Sequence, residues 1–335
     1  MDEGLGFDVA GEIARVGRRS LHKRKDLTAE GLSYRRIVLG MILAGMIGLQ
    51  GAVATEAARP KITDVAFVRI GVSDMQTASK FYHGELKLPD VTCYFGPESQ
   101  CFFINPYQQV DLVKMEASPK HNRIDAIGMY TSDAAALRKY LMLHGQKPAE
   151  IVTDAHGHTS FQVNDPEGHT IEFIQQPSGW GGSVSTTPPL SNRMIHAGFV
   201  VKDRAAVDHF YNDILGFRLY WSGGMKEGET NWVAMQVPDG TDWVEYMLNV
   251  PENADKHTLG VMNHISLGVM SVQAAKEQLE KAGVVLGAEE QPKIGRDGKW
   301  QLNLYDPDGT RVELMEFTPV EKPCCSEFTG PHPKP

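Results

Sequence analysis

Two histidine–glutamate pairs in the C-terminal half share one interval: His196 to Glu245 and His264 to Glu313 each span 49 residues. Imidazole nitrogens and carboxylate oxygens together suit a divalent transition metal. Strand alternation decides whether they can meet. In His264-Ile265-Ser266-Leu267-Gly268-Val269 the aliphatic residues take one face, and His264 takes the other with Ser266 and Gly268. Ala197, Phe199 and Val201 likewise oppose His196, Gly198 and Val200, while Val312 and Leu314 flank Glu313 and Val244 and Tyr246 flank Glu245. With the aliphatic faces turned to helices, all four polar residues converge on a concave side. A lone strand histidine is more often a hydrogen-bonded core or surface residue; the repeated interval is what favours a metal. Two carboxylates in a cavity without a partner are costly. One divalent ion (nickel, zinc, cobalt, manganese or iron) held by His196, Glu245, His264 and Glu313 would meet that charge. Room for one or two waters would leave an open, catalytic-type position.

Repeats supply the elements that must position these residues. Phe81-Tyr82 recurs as Phe210-Tyr211, and the segment opening with Asp165-Pro166-Glu167-Gly168 recurs as the one opening with Asp306-Pro307-Asp308-Gly309. Residues 62–176 and 193–318 therefore read as two copies of one domain, joined by a Pro-, Gly- and Ser-rich linker over 177–192. Each copy is itself double, a strand, a helix and three strands repeated. Apolar spacing places helices at about 76–86, 134–144, 204–215 and 272–282, the last ended by Gly283. The expected fold is α+β: four βαβββ modules paired into two domains, each a curved mixed sheet with helices on its convex face.

The net charge of −9 and a pI near 5.7 argue against an electrostatic nucleic-acid binder. Residues 1–33 form a polar extension with a basic cluster from Arg18 to Lys25. Over 34–54, Tyr34-Arg35-Arg36 leads into an apolar run that ends in Ala52-Val53-Ala54, the layout of a secretory signal peptide. That layout implies export to a periplasm or beyond. The run 37–54 is also just long enough for an uncleaved membrane anchor, the competing reading. Cys93 and Cys101 flank a Gly-Pro turn and suit a short hairpin disulfide. Cys324 and Cys325, adjacent in the Pro-rich tail 319–335, are not expected to bridge each other.

The repeated units, the Phe210-Tyr211…Leu215-Gly216-Phe217 helix end and the Asp-Pro-x-Gly…Glu hairpins resemble the vicinal oxygen chelate superfamily over about residues 62–318. Its members include glyoxalase I, extradiol dioxygenases and bleomycin- or fosfomycin-resistance proteins. Within it the set His196, Glu245, His264 and Glu313 is similar to that of glyoxalase I. The resemblance implies a lyase or isomerase acting on a small oxygenated substrate: a divalent ion chelates two vicinal oxygens and stabilises an enediolate-like intermediate, while a carboxylate moves the proton. It assigns Glu313 as the mobile base, with Glu245 the alternative. Asn249 matches a substrate-binding position of glutathione-using members, but Val200 stands where they often carry Arg. Among the aromatic residues Trp221, Trp232, Trp243, Tyr246 and Trp300, those expected beside substrate are Trp232 and Trp300.

An extradiol dioxygenase would use iron held by His196, His264 and Glu313, and would leave the position of Glu245 open. Such enzymes also place a His and a Tyr ahead of the hairpin. Here no His lies between Val285 and Tyr305, and Tyr305 abuts Asp306. A non-catalytic binding or resistance protein of the same fold is the third reading. In the first copy Phe67, Asp111, Asp125 and Glu172 are read opposite His196, Glu245, His264 and Glu313, which implies a metal-free scaffold and one site per chain. His156, His158 and His169, near its final hairpin, are read as exposed.

Overall fold

Strands dominate the computed structural model, which describes residues 58–93, 99–116 and 122–335. The polar extension and the basic-apolar run 34–54 lie outside the described residues. Among the described residues no helix is long and apolar enough to cross a membrane. The first half supplies β1 (Ile62–Val72), β2 (Asp90–Val91), β3 (Gln100–Asn105), β4 (Gln108–Lys114), β5 (Ile124–Thr131), β6 (Val152–Thr153), β7 (Thr159–Asn164) and β8 (Thr170–Gln175). The second supplies β9 (Arg193–Val200), β10 (Arg218–Gly223), β11 (Trp232–Gln236), β12 (Trp243–Met247), β13 (His264–Val269), β14 (Lys293–Ile294), β15 (Trp300–Tyr305) and β16 (Arg311–Glu316). Each half forms one eight-stranded mixed sheet. The orders β2-β3-β4-β1-β5-β8-β7-β6 and β10-β11-β12-β9-β13-β16-β15-β14 are the same path through space. This is the expected α+β architecture of two curved mixed sheets.

The helices are shorter than the periodicity suggests. Helix α1 (Met75–Ser79) continues into a π-helical stretch, Lys80–Glu85, and α3 (Arg204–Asp208) into another, His209–Ile214. Helices α2 (Ala134–Leu143) and α5 (Val272–Lys281) follow the sequence reading closely, while α4 (Lys256–Met262) was not foreseen. All five begin with a capping side chain, Asp74, Asp133, Asp203, Asp255 and Ser271, that accepts a backbone N–H in the first turn. Their apolar residues, among them Tyr82, Leu137, Tyr211 and Leu279, join Phe199, Tyr246, Leu267 and Leu314 of the strands in one core that runs through both halves.

The repeated turn motifs lock the halves together crosswise. Asp306 accepts the N–H groups of Asp308 and Thr310 at 2.9 and 2.8 Å, and the Tyr82 hydroxyl from the other half donates to it at 3.1 Å. In the mirrored arrangement Asp165 accepts from Glu167 and His169 within its own turn, and from Tyr211 across the interface at 3.4 Å. The acid at the third position of each turn also reaches across. Asp308 takes the Ser73 N–H and the Arg123 guanidinium, and Glu167 takes the N–H groups of Lys202 and Asp203.

Both cysteine pairs are closed. Cys93–Cys101 forms the expected hairpin bridge. Cys324–Cys325 corrects the sequence reading: Cys325 adopts a left-handed backbone, φ 80°, and the adjacent side chains meet.

Asp306→Ala strands two backbone donors and a tyrosine hydroxyl in a buried site. It should lower the unfolding free energy by about 3 kcal/mol, against about 1 kcal/mol for Tyr82→Phe. Urea midpoints at unchanged slope check both values.

Candidate metal centre

The four central strands of the second sheet, β12, β9, β13 and β16, each carry one of the proposed ligands. Register brings them together. His196 on β9 lies beside Ser266 on β13, and His264 lies beside Gly198; Glu245 on β12 pairs with Gly198, and Glu313 on β16 pairs with Ser266. Gly198 leaves room for the His264 ring, since a Cβ there would lie 2.0 Å from His264 Cε1. Trp243 stacks on His196 at 4.8 Å and 24°, holding that ring from the β12 side.

The ring nitrogens His196 Nε2 and His264 Nε2 are 3.0 Å apart. Glu313 Oε2 stands 3.5 Å from His196 Nε2, and Glu245 Oε2 stands 3.4 Å from His264 Nε2 and 3.8 Å from His196 Nε2. A metal with bonds of roughly 2.0–2.2 Å spaces neighbouring ligand atoms about 3.0–3.5 Å apart. The donor set therefore fits a divalent ion in type, and the ligand atoms of His196, His264 and Glu313 all lie within 4.8 Å of one another, with Glu245 close to both rings. His264 Nδ1 lies 3.2 Å from the Met262 carbonyl, to which a protonated Nδ1 donates, leaving Nε2 as the lone-pair nitrogen. Burial holds His264 down to about 3 and His196 well below its ordinary value, with Arg311 adding to both and His264 to His196. Both rings are thus neutral, as ligands must be. Burial pushes the Glu245 carboxyl up to about 7, opposed by Arg311 and Lys299.

A cavity of about 340 Å³ opens over Glu245 and Glu313. Trp221, Trp232 and Trp243 line it together with Asn303, Arg311 and Arg296. Trp232 is where the sequence reading placed it. Trp300 is not: it alternates with Gln301 and Asn303 and packs into the helix-side core. Asn249 is not among the lining residues; it sits in a left-handed turn at φ 60° and donates to the Thr230 carbonyl.

Two features escaped the sequence reading. Lys299 is fully buried, with Nζ 3.2 Å from the Tyr220 hydroxyl and 4.7–5.2 Å from the ring centres of Trp243, Tyr220 and Phe328. Its signal was available in the alternation that puts it on the face of Gln301 and Asn303. Burial lowers the pKa of this ammonium and raises that of nearby Asp297. The tail is the second feature. Thr329 N–H donates to the Tyr220 carbonyl, Ser326 Oγ accepts from Ser222 N–H, Gln236 donates to the Pro331 carbonyl, and Phe328 closes one side of the cavity.

The first sheet corrects one alignment. Phe67, Asp111 and Glu172 do match His196, Glu245 and Glu313, but the register puts Ala126, not Asp125, at the position of His264. The register shift between the Arg69–Ala126 and Ile70–Ile124 pairs leaves Asp125 as the extra residue of a bulge, and it stands at the rim with 41% of its side chain exposed. His158 is buried, not exposed: its Nδ1 lies 2.9 Å from Asp154 and its ring meets Trp180 edge-on. His169 pairs with Asp165, and His156 is exposed.

Residues 193–314, which hold all four proposed ligands, match the Glyoxalase/Bleomycin resistance protein/Dioxygenase superfamily. The second half of the chain belongs to this superfamily. A lactoylglutathione lyase of Haemophilus influenzae is 27% identical over 125 residues, which are 37% of this chain and 92% of that protein. Solved structures of similar fold cover both sheets. An extradiol ring-cleaving dioxygenase from B. fuscum aligns with TM-score 0.59 and 18% identity over 82% of this chain and 76% of its own. A Mn(II)-bound glyoxalase from Novosphingobium aromaticivorans aligns with TM-score 0.59 and 17% identity over 77% and 83%. The likeness to these two solved structures is one of fold.

Mn²⁺ content should fall to background in both His196→Ala and His264→Ala. A metal takes the ionised carboxylate, so the Glu245 proton competes below about pH 7, while both histidines stay neutral throughout. Apparent Mn²⁺ affinity should therefore rise about tenfold from pH 6 to pH 8, and Glu245→Gln should remove that rise, as read by calorimetric titration.

Proposed function

We propose that the second-sheet cavity is the active site of an exported, metal-dependent lyase or isomerase of the glyoxalase type, acting on a small oxygenated substrate. One observation carries the reading: a second carboxylate, Glu245, reaches both His Nε2 atoms from the side opposite Glu313. His196, Glu245, His264 and Glu313 would hold the ion, and nickel, zinc, cobalt, manganese and iron all suit such donors. When bound, a divalent ion supplies Lewis-acid polarisation of the substrate oxygens. This chain's own residues do the rest. Glu313 and Glu245 line the cavity and are the groups to take up and return a proton, Glu313 being the one the family resemblance favours. The tryptophans that line the cavity and Phe328 shield a flat or apolar body from water, and Arg311 stands 3.8 Å from Glu313.

A ring-cleaving dioxygenase is the second reading, favoured by the buried His196–His264–Glu313 group, since two histidines and one carboxylate suit oxygen-activating iron. Against it, the cavity wall from β15 offers Gln301 and Asn303 and no imidazole. Export is supported by the basic-apolar layout of 34–54 and by two disulfides, which persist in oxidising compartments.

The test uses protein starting at residue 55 and loaded with each metal in turn. Isomerisation of a methylglyoxal–glutathione hemithioacetal, or of related α-hydroxycarbonyls, supports the first reading. Oxygen uptake with catechols supports the second. Metal binding with neither activity would point to a binding protein. In the lyase or isomerase, Glu245→Gln should cut kcat by about 10²–10⁴-fold; a dioxygenase should keep most of its rate in that variant.

A further inference from the structure

The common register of the two sheets lets positions be matched strand by strand. Arg69 on β1 lies between Asp111 on β4 and Ala126 on β5, as Gly198 lies between Glu245 and His264. Glu172 on β8 pairs with Gly128, as Glu313 pairs with Ser266. Both carboxylates are thus kept, and everything between them is changed. Where the His264 ring forbids a side chain at Gly198, Ala126 vacates the space and Arg69 fills it. Where His196 stands, Phe67 spreads into the notch left by Gly128, whose added Cβ would lie 2.3 Å from the Phe67 ring.

The guanidinium of Arg69 lies 4.7 Å over the Phe67 ring, 3.6 Å from Asp111 Oδ2 and 3.7 Å from Glu172 Oε2. This is not a solvated surface pair: the three side chains are 10%, 0% and 8% exposed. Gln109 donates to Asp111, and Ser160 and Gln162 donate to Glu172, which aims both carboxylates inward. Asp125, 4.0 Å away, stands at the rim. Two carboxylates buried this close require a positive charge between them, and a planar guanidinium can stack on a ring and meet both at once.

We propose that Arg69 is the resident cation of the first sheet. Its guanidinium occupies the place between Asp111 and Glu172 that the matched residues of the second sheet leave for a divalent ion. The first half is thereby closed to metal by its own side chain, and its carboxylate pair accepts a free cation once that side chain is gone.

The experiment compares the full chain with Arg69→Gly, each also built on a His196→Ala/His264→Ala background that removes the second-sheet cluster. Cation uptake on that background reports the first sheet whatever becomes of the lyase reading. In metal-free buffer Arg69→Gly should lower Tm by about 5–10 °C. Millimolar Mn²⁺, or guanidinium chloride at about 10 mM, should recover much of that loss, and about one equivalent of Mn²⁺ should bind that the Arg69-containing background does not bind. If Arg69→Gly fails to fold, the charge-neutral Arg69→Met/Asp111→Asn/Glu172→Gln should fold and stand closer to the parent in Tm than Arg69→Met alone. The proposal is overturned if Arg69→Gly matches its parent in Tm, if its loss is indifferent to both cations, or if the charge-neutral triple variant is no more stable than Arg69→Met.

Discussion

Everything about this fold's concave faces follows from one electrostatic constraint: each central four-strand group presents two inward carboxylates in a place that water barely reaches. Glu245 and Glu313 on one sheet, and Asp111 and Glu172 on the other, stand at matched register positions. Burying like charges side by side is unfavourable by several kcal/mol unless a cation stands between them. The halves answer the constraint differently. The second surrounds its carboxylates with neutral imidazoles and a glycine, leaving a space with ligand spacing. The first inserts a guanidinium. The substitutions are interlocked, because His264 excludes any side chain at residue 198 and Ala126 permits a long one at residue 69.

Holding such a constellation needs strands that do not slip, and the crossed tyrosine–aspartate contacts provide that. Strand β16 begins two residues after the turn in which Asp306 binds two backbone N–H groups and the Tyr82 hydroxyl of the other half. Glu313 and Arg311 therefore start from a fixed point. The same turn is braced by Arg123 through Asp308, a buried ion pair at 2.9 Å. The first half thus contributes to the second-sheet site without touching it, by fixing the strand that carries one of its carboxylates. This gives the first sheet a structural reason to exist beside a cavity it does not line.

The sheet positions of the quartet were legible because period-2 alternation and the equal intervals are both properties of sequence. Two kinds of information were not. Register between strands is set by bulges, and β1 and β5 carry register shifts near residues 62–70; counting along the chain therefore slipped by one residue and chose Asp125 for Ala126. The π-helical stretches at Lys80–Glu85 and His209–Ile214 were hidden for a related reason, since one added residue per turn leaves an apolar pattern that still reads as α-helical. Trp300 stands ahead of a central strand as Trp232 does, but its parity on β15 is opposite to that of Gln301 and Asn303, which line the cavity.

The tail and Lys299 mark where sequence logic ended for another reason. Residues 319–335 have neither periodicity nor a repeat partner, yet Phe328 completes the cavity and, with Tyr220 and Trp243, surrounds the Lys299 ammonium. A buried cation is tolerable there because ring faces, the Tyr220 hydroxyl and the acidic cluster of Asp297, Glu245 and Glu313 offset its desolvation. Its charge in turn acts on the site, favouring ionised Glu245 and neutral His196. Those are the protonation states a metal requires. The second sheet therefore uses a fixed internal cation as the first does, but sets it behind an aromatic screen, where it tunes the ligands without displacing an ion from them.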